Sequence, residues 1–271
     1  MNQRTLLQKD SFAATDTCQA DSTRLGPREV QVWAIWLTAS EAALAFYHST
    51  LSLDECERAE RFSFENLRRS YVLSRGGLRI LLGHYLGCLP SEIELVYGPK
   101  GKPALRQETR IRFNTSHSGQ MALYAFTCDS ELGVDVEQLR ELDDPEAIAT
   151  RFFSSAEVSE LLSLRPGERG LAFLRCWTRK EAYIKSIGDG LAIPLDHFQV
   201  TFLPGVPARF VQVTSNMGTA SDWTLNDLEL AAGYVGALAY RDSPRPTTIH
   251  PAVRAEKLTE ILQARGKPRR W

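Results

Sequence analysis

Leu132-Gly-Val-Asp-Val-Glu137 alternates apolar and acidic residues, the period of a strand with one face in a core and the other at a surface. Val134 and Val136 belong to the core face. Asp135 and Glu137, at i and i+2, share the opposite face roughly 7 Å apart, close enough to share one cation. Taken alone, D-x-E also fits a half-exposed strand with two solvated acids. The fold is decided by what lies on either side of it. Upstream, a β-branched and aromatic run from Val30 to Leu37 predicts a strand, Ser40 to Ser49 a helix and Asn66 to Leu86 a long helix. Strands follow at Ile93 to Tyr97 and Met121 to Phe126. Downstream the order recurs. Ser154-Ser-Ala-Glu157 reads as a capping box, Glu168 to Ile187 as a long helix, and His197 to Leu203, Arg209 to Val213 and Tyr234 to Tyr240 as strands. Two α+β halves of like design are expected, with a ligand groove between them.

The chain has 271 residues, 43% of them hydrophobic and 24% charged, values of an ordinary globular protein that exclude a disordered chain or a fibre. A net charge of -1 argues against a surface built throughout for nucleic acid or anionic membrane. Five scattered cysteines, Cys18, Cys56, Cys88, Cys128 and Cys176, lack a C-x-x-C pair and read as free thiols of a reducing compartment. The first 28 residues lack the apolar stretch of a secretory signal, and no run is long enough to span a bilayer. A cytoplasmic protein is expected.

Charge is uneven along the chain. Arg58 to Arg79 holds six arginines (Arg58, Arg61, Arg68, Arg69, Arg75, Arg79) against Glu60 and Glu65, so an anion could sit on that helix. Asp129 to Ala147 is strongly acidic, and Pro251 to Trp271 carries six basic residues against two acids. The latter reads as a frayed, solvated tail.

Three further segments could carry chemistry. In Trp177-Thr-Arg-Lys-Glu-Ala-Tyr-Ile-Lys185 helical spacing stacks Trp177, Glu181 and Lys185 on one stripe, where the plain account is a Glu-Lys pair worth about 0.3 to 0.5 kcal/mol. Asn114-Thr-Ser-His-Ser118 reads as a turn whose hydroxyls and imidazole could grip phosphate, with a structural histidine as the plain account; no G-x-S-x-G elbow makes Ser116 a nucleophile. Gly98-Pro-Lys-Gly-Lys102 fails the phosphate-loop pattern, leaving Lys100 and Lys102 as loop cations.

The order of these elements is basic helix, Gly-Lys-Pro loop, N-x-S-H-S, G-x-D-x-E strand and W-x-x-K-E-A-x-x-K helix. From about Val30 to Tyr240 it closely resembles the 4′-phosphopantetheinyl transferases of the surfactin-synthetase type. The resemblance implies two α+β subdomains related by a pseudo-twofold, 30–128 and 129–243, with the active site in the groove between them. Residues 1–29 would be an extension and 244–271 a basic tail, both outside it. It implies Mg2+-dependent transfer of the phosphopantetheine arm of coenzyme A to a serine of an apo acyl, peptidyl or aryl carrier protein, with release of adenosine 3′,5′-bisphosphate. Such carriers serve fatty-acid, polyketide or nonribosomal-peptide assembly. Asp135, Glu137 and Glu181 would hold the metal, and Lys185 the pyrophosphate, with Lys180 in support. Lys102, Ser116 and His117, joined by Arg69 and Ser70, would bind the 3′-phosphate and adenine side. Glu181 would take the serine proton, with Glu137 or a metal-held hydroxide as the alternative base. The carrier would dock between the two motifs, on Phe152, Phe153, Val158, Leu161 and Leu162 with Arg151 and Arg165 nearby. Thr115 replaces an aliphatic residue usual in the family. A monomer without nucleic-acid or membrane partners is expected.

Two rival readings remain at this level. A nucleotide- or RNA-binding module would use the arginine helix, but the acids at Asp135 and Glu137 would repel phosphate unless a metal intervened. A metal-dependent diphosphate hydrolase would use the same acids and need no protein acceptor.

Overall fold

The computed structural model describes residues 25–99, 101–188, 193–213 and 218–265. Cys18, Lys100, Asp189 and the end of the expected tail lie outside them. The chain is α+β, and its first half runs β1 (Val30–Trp36), α1 (Glu41–Ser49), α2 (Leu53–Glu60), α3 (Glu65–Leu86), β2 (Leu95–Tyr97), β3 (Pro103–Leu105), β4 (Ile111–Ser118) and β5 (Met121–Cys128). The second runs β6 (Leu132–Gln138), α4 (Pro145–Phe152), α5 (Ser155–Ser163), α6 (Pro166–Ile187), β7 (Gln199–Val200), β8 (Phe210–Gln212), β9 (Thr224–Asp227) and β10 (Tyr234–Tyr240). Each half is a strand, two short helices, a helix of 22 residues, a two-stranded ribbon and two longer strands. The sheets match as well, with β1-β5-β4 in the first half and β6-β10-β9 in the second. The same pattern met twice gives the same fold twice, which is the internal pseudo-symmetry.

Local chemistry sets the element ends. Ser40 caps α1 by accepting from the Ala43 amide, and Ser154 and Glu157 form a capping box on α5. Gly87 ends α3 at φ 71°, a left-handed position open to glycine. Each half packs its long helix on its own sheet, and a third apolar layer joins the two sheets. Val30, Val32, Met121, Leu123 and Ala125 meet Leu132, Val134, Val136, Leu238 and Tyr240 there. Cys56, Cys128 and Cys176 are free thiols. Among the described residues, no helix is long and apolar enough to cross a membrane.

Two stretches differ from expectation. Asn114 to Ser118 is not a turn but the second half of β4, paired with β5 through Ser118↔Met121. Its polar side chains replace a backbone ladder to β6: Asn114 Oδ1 accepts from the Val134 amide at 3.0 Å, and Ser118 Oγ accepts from the Gln138 amide at 3.1 Å. The other is the expected tail, where Thr247–Arg254 forms β11, parallel to β1, and Ala255–Arg265 forms α7. His250 lies against the Trp33 ring at 3.8 Å, and Leu258 and Leu262 are buried in the first core. The apolar spacing of Ala255, Leu258 and Leu262 outweighs the basic charge around it.

Candidate active site

β6 and α6 lie so close that a Cβ on Gly133 would stand 2.0 Å from Ala182 O and 2.4 Å from Ser186 N. That approach faces the acids of β6 toward the Trp177, Glu181 and Lys185 stripe of α6. β4 closes a second side and α3 the far wall. Between them lies a cleft of about 1040 Å3 lined by Asp135, Glu137, Trp177, Glu181, Lys185, Lys102, Ser116, His117, Ser70 and Arg75, among others.

At its floor Lys185 Nζ donates to Asp135 Oδ1 at 2.6 Å and to Ser116 Oγ at 2.9 Å, and Ser116 Oγ donates to the same Asp135 oxygen at 2.7 Å. Lys185 therefore joins the two halves and does not form the helical i, i+4 pair with Glu181. Glu137 Oε2 accepts from Ser118 Oγ at 2.8 Å. Lys102 reaches across from the loop just before β3, its Nζ donating to Lys185 O at 2.8 Å and to Glu131 at 3.1 Å. Burial, and then the charges of Asp135 and Glu137, hold the Glu181 carboxyl above its usual range despite Lys185. His117 stands open to the cleft, where desolvation and then the charges of Lys185 and Arg75 hold its imidazole below the usual value.

The donor chemistry suits a hard divalent cation, with three carboxylates on one cleft and Asp135 Oδ2 buried without a hydrogen-bond partner. The acids are not gathered into a finished cage: among the described residues no three acidic, histidine or cysteine side chains stand grouped to hold a metal. Asp135 is turned to Lys185 and Ser116, and Glu137 to Ser118.

Two residues expected at the site are elsewhere. Lys180 is fully buried, its Nζ donating to Leu195 O at 2.7 Å and Phe198 O at 2.6 Å and pairing with Glu157 at 2.8 Å. Three partners use up its three donors, so it braces the second core and has none left for a ligand. Arg69 is bound to Glu41 at 2.5 Å and to Ala39 O at 2.8 Å, outside the cleft. Ser70, Ser74 and Arg75 of α3, with Arg58 of α2, line the cleft instead. The sequence offers all six arginines alike. The signal that sorts them is the 100° step of the helix, which sets Ser70 and Ser74 on one face and turns Arg69 toward α1.

Matches to known proteins span both halves. A family model described as 4′-phosphopantetheinyl transferase, N-terminal, matches residues 35–129, and one described as the 4′-phosphopantetheinyl transferase superfamily matches residues 131–239. The 4′-phosphopantetheinyl transferase HetI of Nostoc sp. is 39% identical over 214 residues, 78% of this chain and 87% of that protein. The chain belongs to the 4′-phosphopantetheinyl transferase superfamily. The transferase is also similar to a putative 4′-phosphopantetheinyl transferase of Synechocystis sp., 33% identical over 73% of this chain and 80% of that one. To Sfp of Bacillus subtilis it is 32% identical over 57% of this chain and 67% of that one. In the transferase the junction of the two family matches, between residues 129 and 131, falls where β5 gives way to β6, so the cleft lies where the matched segments meet.

Proposed function

We propose that this transferase moves the 4′-phosphopantetheine arm of coenzyme A onto a serine of an apo carrier protein in the cytoplasm, releasing adenosine 3′,5′-bisphosphate. The observation that carries the reading is one cleft with two separate cationic places, Lys185 beside the carboxylates and Arg75 with Arg58 on the helical wall, and the charges of Lys185 and Arg75 both reach His117. Coenzyme A carries a pyrophosphate and, apart from it, a phosphate monoester. A mononucleotide has no second anion to fill the other place.

In this reading Lys185 holds the pyrophosphate, and Ser70, Ser74, Arg75, Lys102 and His117 line the pocket of the 3′-phosphate and adenosine. Glu181, whose carboxyl already holds its proton more tightly than usual, accepts the hydroxyl proton of the carrier serine. The serine oxygen attacks the phosphorus nearer the pantetheine, the bond from that phosphorus to the bridging oxygen breaks, and the bisphosphate leaves with the electron pair. Asp135, Glu137 and Glu181 are the residues that would hold Mg2+, which when bound neutralises charge on the pyrophosphate. Asp135 Oδ2, buried and unpartnered, would be the donor to the ion, while Oδ1 keeps the Lys185 ammonium in the cleft.

Apo carrier protein incubated with the transferase, coenzyme A and Mg2+ is expected to gain the mass of the phosphopantetheine arm on its serine, and to stay unmodified when EDTA is added. Breakdown of coenzyme A with the carrier unmodified would replace this reading by the diphosphate hydrolase.

The carrier face is narrower than the sequence suggests. Phe153 and Leu161 are buried in the second core and Val158 packs against it, whereas Phe152 and Leu162 are exposed. The Arg151 guanidinium lies 5.1 Å from the Phe152 ring, giving an apolar patch with a basic rim suited to an acidic carrier. Reversing Arg151 and Arg165 to glutamate together is expected to raise the KM for the carrier about tenfold at low salt and to leave the KM for coenzyme A unchanged. An unaltered carrier KM would put docking elsewhere.

A further inference from the structure

Glu55 is a charged side chain with 1% of its surface exposed, on α2 and not among the residues lining the cleft. A buried carboxylate is costly unless paired and hydrogen-bonded, and Glu55 meets two arginines. Its Oε2 accepts from Arg79 Nε at 2.5 Å and from the Ser52 amide at 3.1 Å. Arg79 is as buried as Glu55 and gives Nη1 to Pro90 O at 3.0 Å and Ile93 O at 2.9 Å. That pair alone balances the charge and ties α2 and α3 to the chain that follows.

The second arginine is not needed for balance. Glu55 Oε1 lies 3.5 Å from Arg75 Nε and accepts from Tyr97 OH at 3.4 Å. Arg75 lines the cleft, and its guanidinium carbon stands 5.6 Å from the centre of the Tyr97 ring and 6.0 Å from that of Tyr71. Two arginines against one glutamate leave a surplus positive charge, and Arg75 is the member of the set that lines the cleft. A long flexible side chain thus has its Nε anchored by a buried acid and its plane set beside two rings, an arrangement that removes much of the ordering cost of gripping an anion.

We infer that Glu55 is a positioning residue for substrate: it holds Arg75, with Tyr97 as the shelf, where the guanidinium meets the phosphate monoester that the donor carries apart from its pyrophosphate. The inference rests on coenzyme A being the donor, as proposed above. It makes a residue of α2 that lines no part of the cleft a determinant of discrimination between coenzyme A and its 3′-dephospho form.

The test is steady-state transfer to an apo carrier protein with coenzyme A and, separately, 3′-dephospho-coenzyme A. The wild-type protein should show a lower KM for coenzyme A. In Glu55→Gln that KM should rise about tenfold with kcat within about twofold, while the KM for the dephospho form stays where it was. Tyr97→Leu, which leaves the Glu55 and Arg79 pair intact, should raise the KM for coenzyme A about threefold with the same selectivity. Adding Glu55→Gln to Arg75→Ala should change neither KM further. Thermal melting checks that each variant is folded, and Tyr97→Leu decides if Glu55→Gln is not. A folded Glu55→Gln or Tyr97→Leu protein with the wild-type ratio of the two KM values would overturn the inference, as would a Glu55→Gln effect that persists without Arg75. A wild-type protein that uses both donors equally well would instead overturn the assignment of Arg75 to the monoester, and no transfer from coenzyme A would overturn the proposed function itself.

Discussion

Gly133→Ala is expected to lower the stability of the protein by about 3 kcal/mol, the upper end of what overpacking a core costs. The new Cβ would lie 2.0 Å from Ala182 O, 2.4 Å from Ser186 N and 2.9 Å from the Lys185 carbonyl carbon. All three are backbone atoms of α6, so no side-chain rotation relieves the contact. β6 cannot retreat, because β10 pairs along its whole length from Leu132↔Tyr240 to Gln138↔Tyr234. The relief left is for α6 to move away by more than 1 Å, and with it Glu181 and Lys185 move from Asp135 and Glu137. One methyl group should therefore lower the melting temperature by roughly 6 to 12 °C, given about 2 to 4 °C per kcal/mol in a protein of this size. Transfer by the protein that remains folded should fall with it. Gly167→Ala and Gly170→Ala are the controls: both glycines lie in α6, a Cβ on either meets nothing within 4 Å, and each should leave melting unchanged or raise it slightly. A Gly133→Ala protein that melts like the wild type would mean that β6 and α6 are not packed as described.

That contact explains which parts of the molecule were legible in the sequence. Period-2 alternation in β6 and the i, i+4, i+8 stripe of α6 are local signals, and each orients its side chains without reference to the rest of the chain. Bringing the two stripes face to face depends on Gly133, whose lack of a side chain is visible in sequence while its neighbour is not. The repeated element order foretold the two halves for the same reason, since each long helix carries its own apolar face. Where a residue's role depends on its partner, local pattern misleads. Lys180 sits one residue before Glu181, and the 100° between them separates a buried brace from a cleft residue. Asn114 to Ser118 has turn-like composition, but the side chains of Asn114, Ser116 and Ser118 are satisfied by β6, a strand of the other half, and the backbone pairs with β5, so extended backbone is stable there. Basic charge in the last twenty residues hid Leu258 and Leu262, which complete the first core from the far end of the chain. No local signal announces that β11 is a partner of β1.

Asp135→Asn tests the site with little change of shape, and transfer is expected to fall about 10³-fold, the scale on which one preorganised electrostatic group acts, or about 4 kcal/mol in the barrier. The asparagine oxygen can still accept from Lys185 and Ser116, which are held by Asp135 Oδ1 at 2.6 and 2.7 Å. The fold should therefore survive with a melting temperature within a few degrees of the wild type. What disappears is the negative charge and, at the buried and unpartnered Oδ2, an oxygen donor replaced by an amide that can only donate. A purely structural Asp135 would show the reverse pattern, lost stability with activity retained in the folded fraction. The measurement is the rate of carrier modification beside a thermal melt, with Lys185→Met in parallel. Removing Lys185 should also slow transfer, by raising the KM for coenzyme A or lowering kcat, because the ammonium that pairs with Asp135 is the one assigned to the pyrophosphate. If Asp135→Asn transferred at the wild-type rate, a charged Asp135 would have no part in the chemistry, and the ion pair with Lys185 would be no more than a brace between β6 and α6.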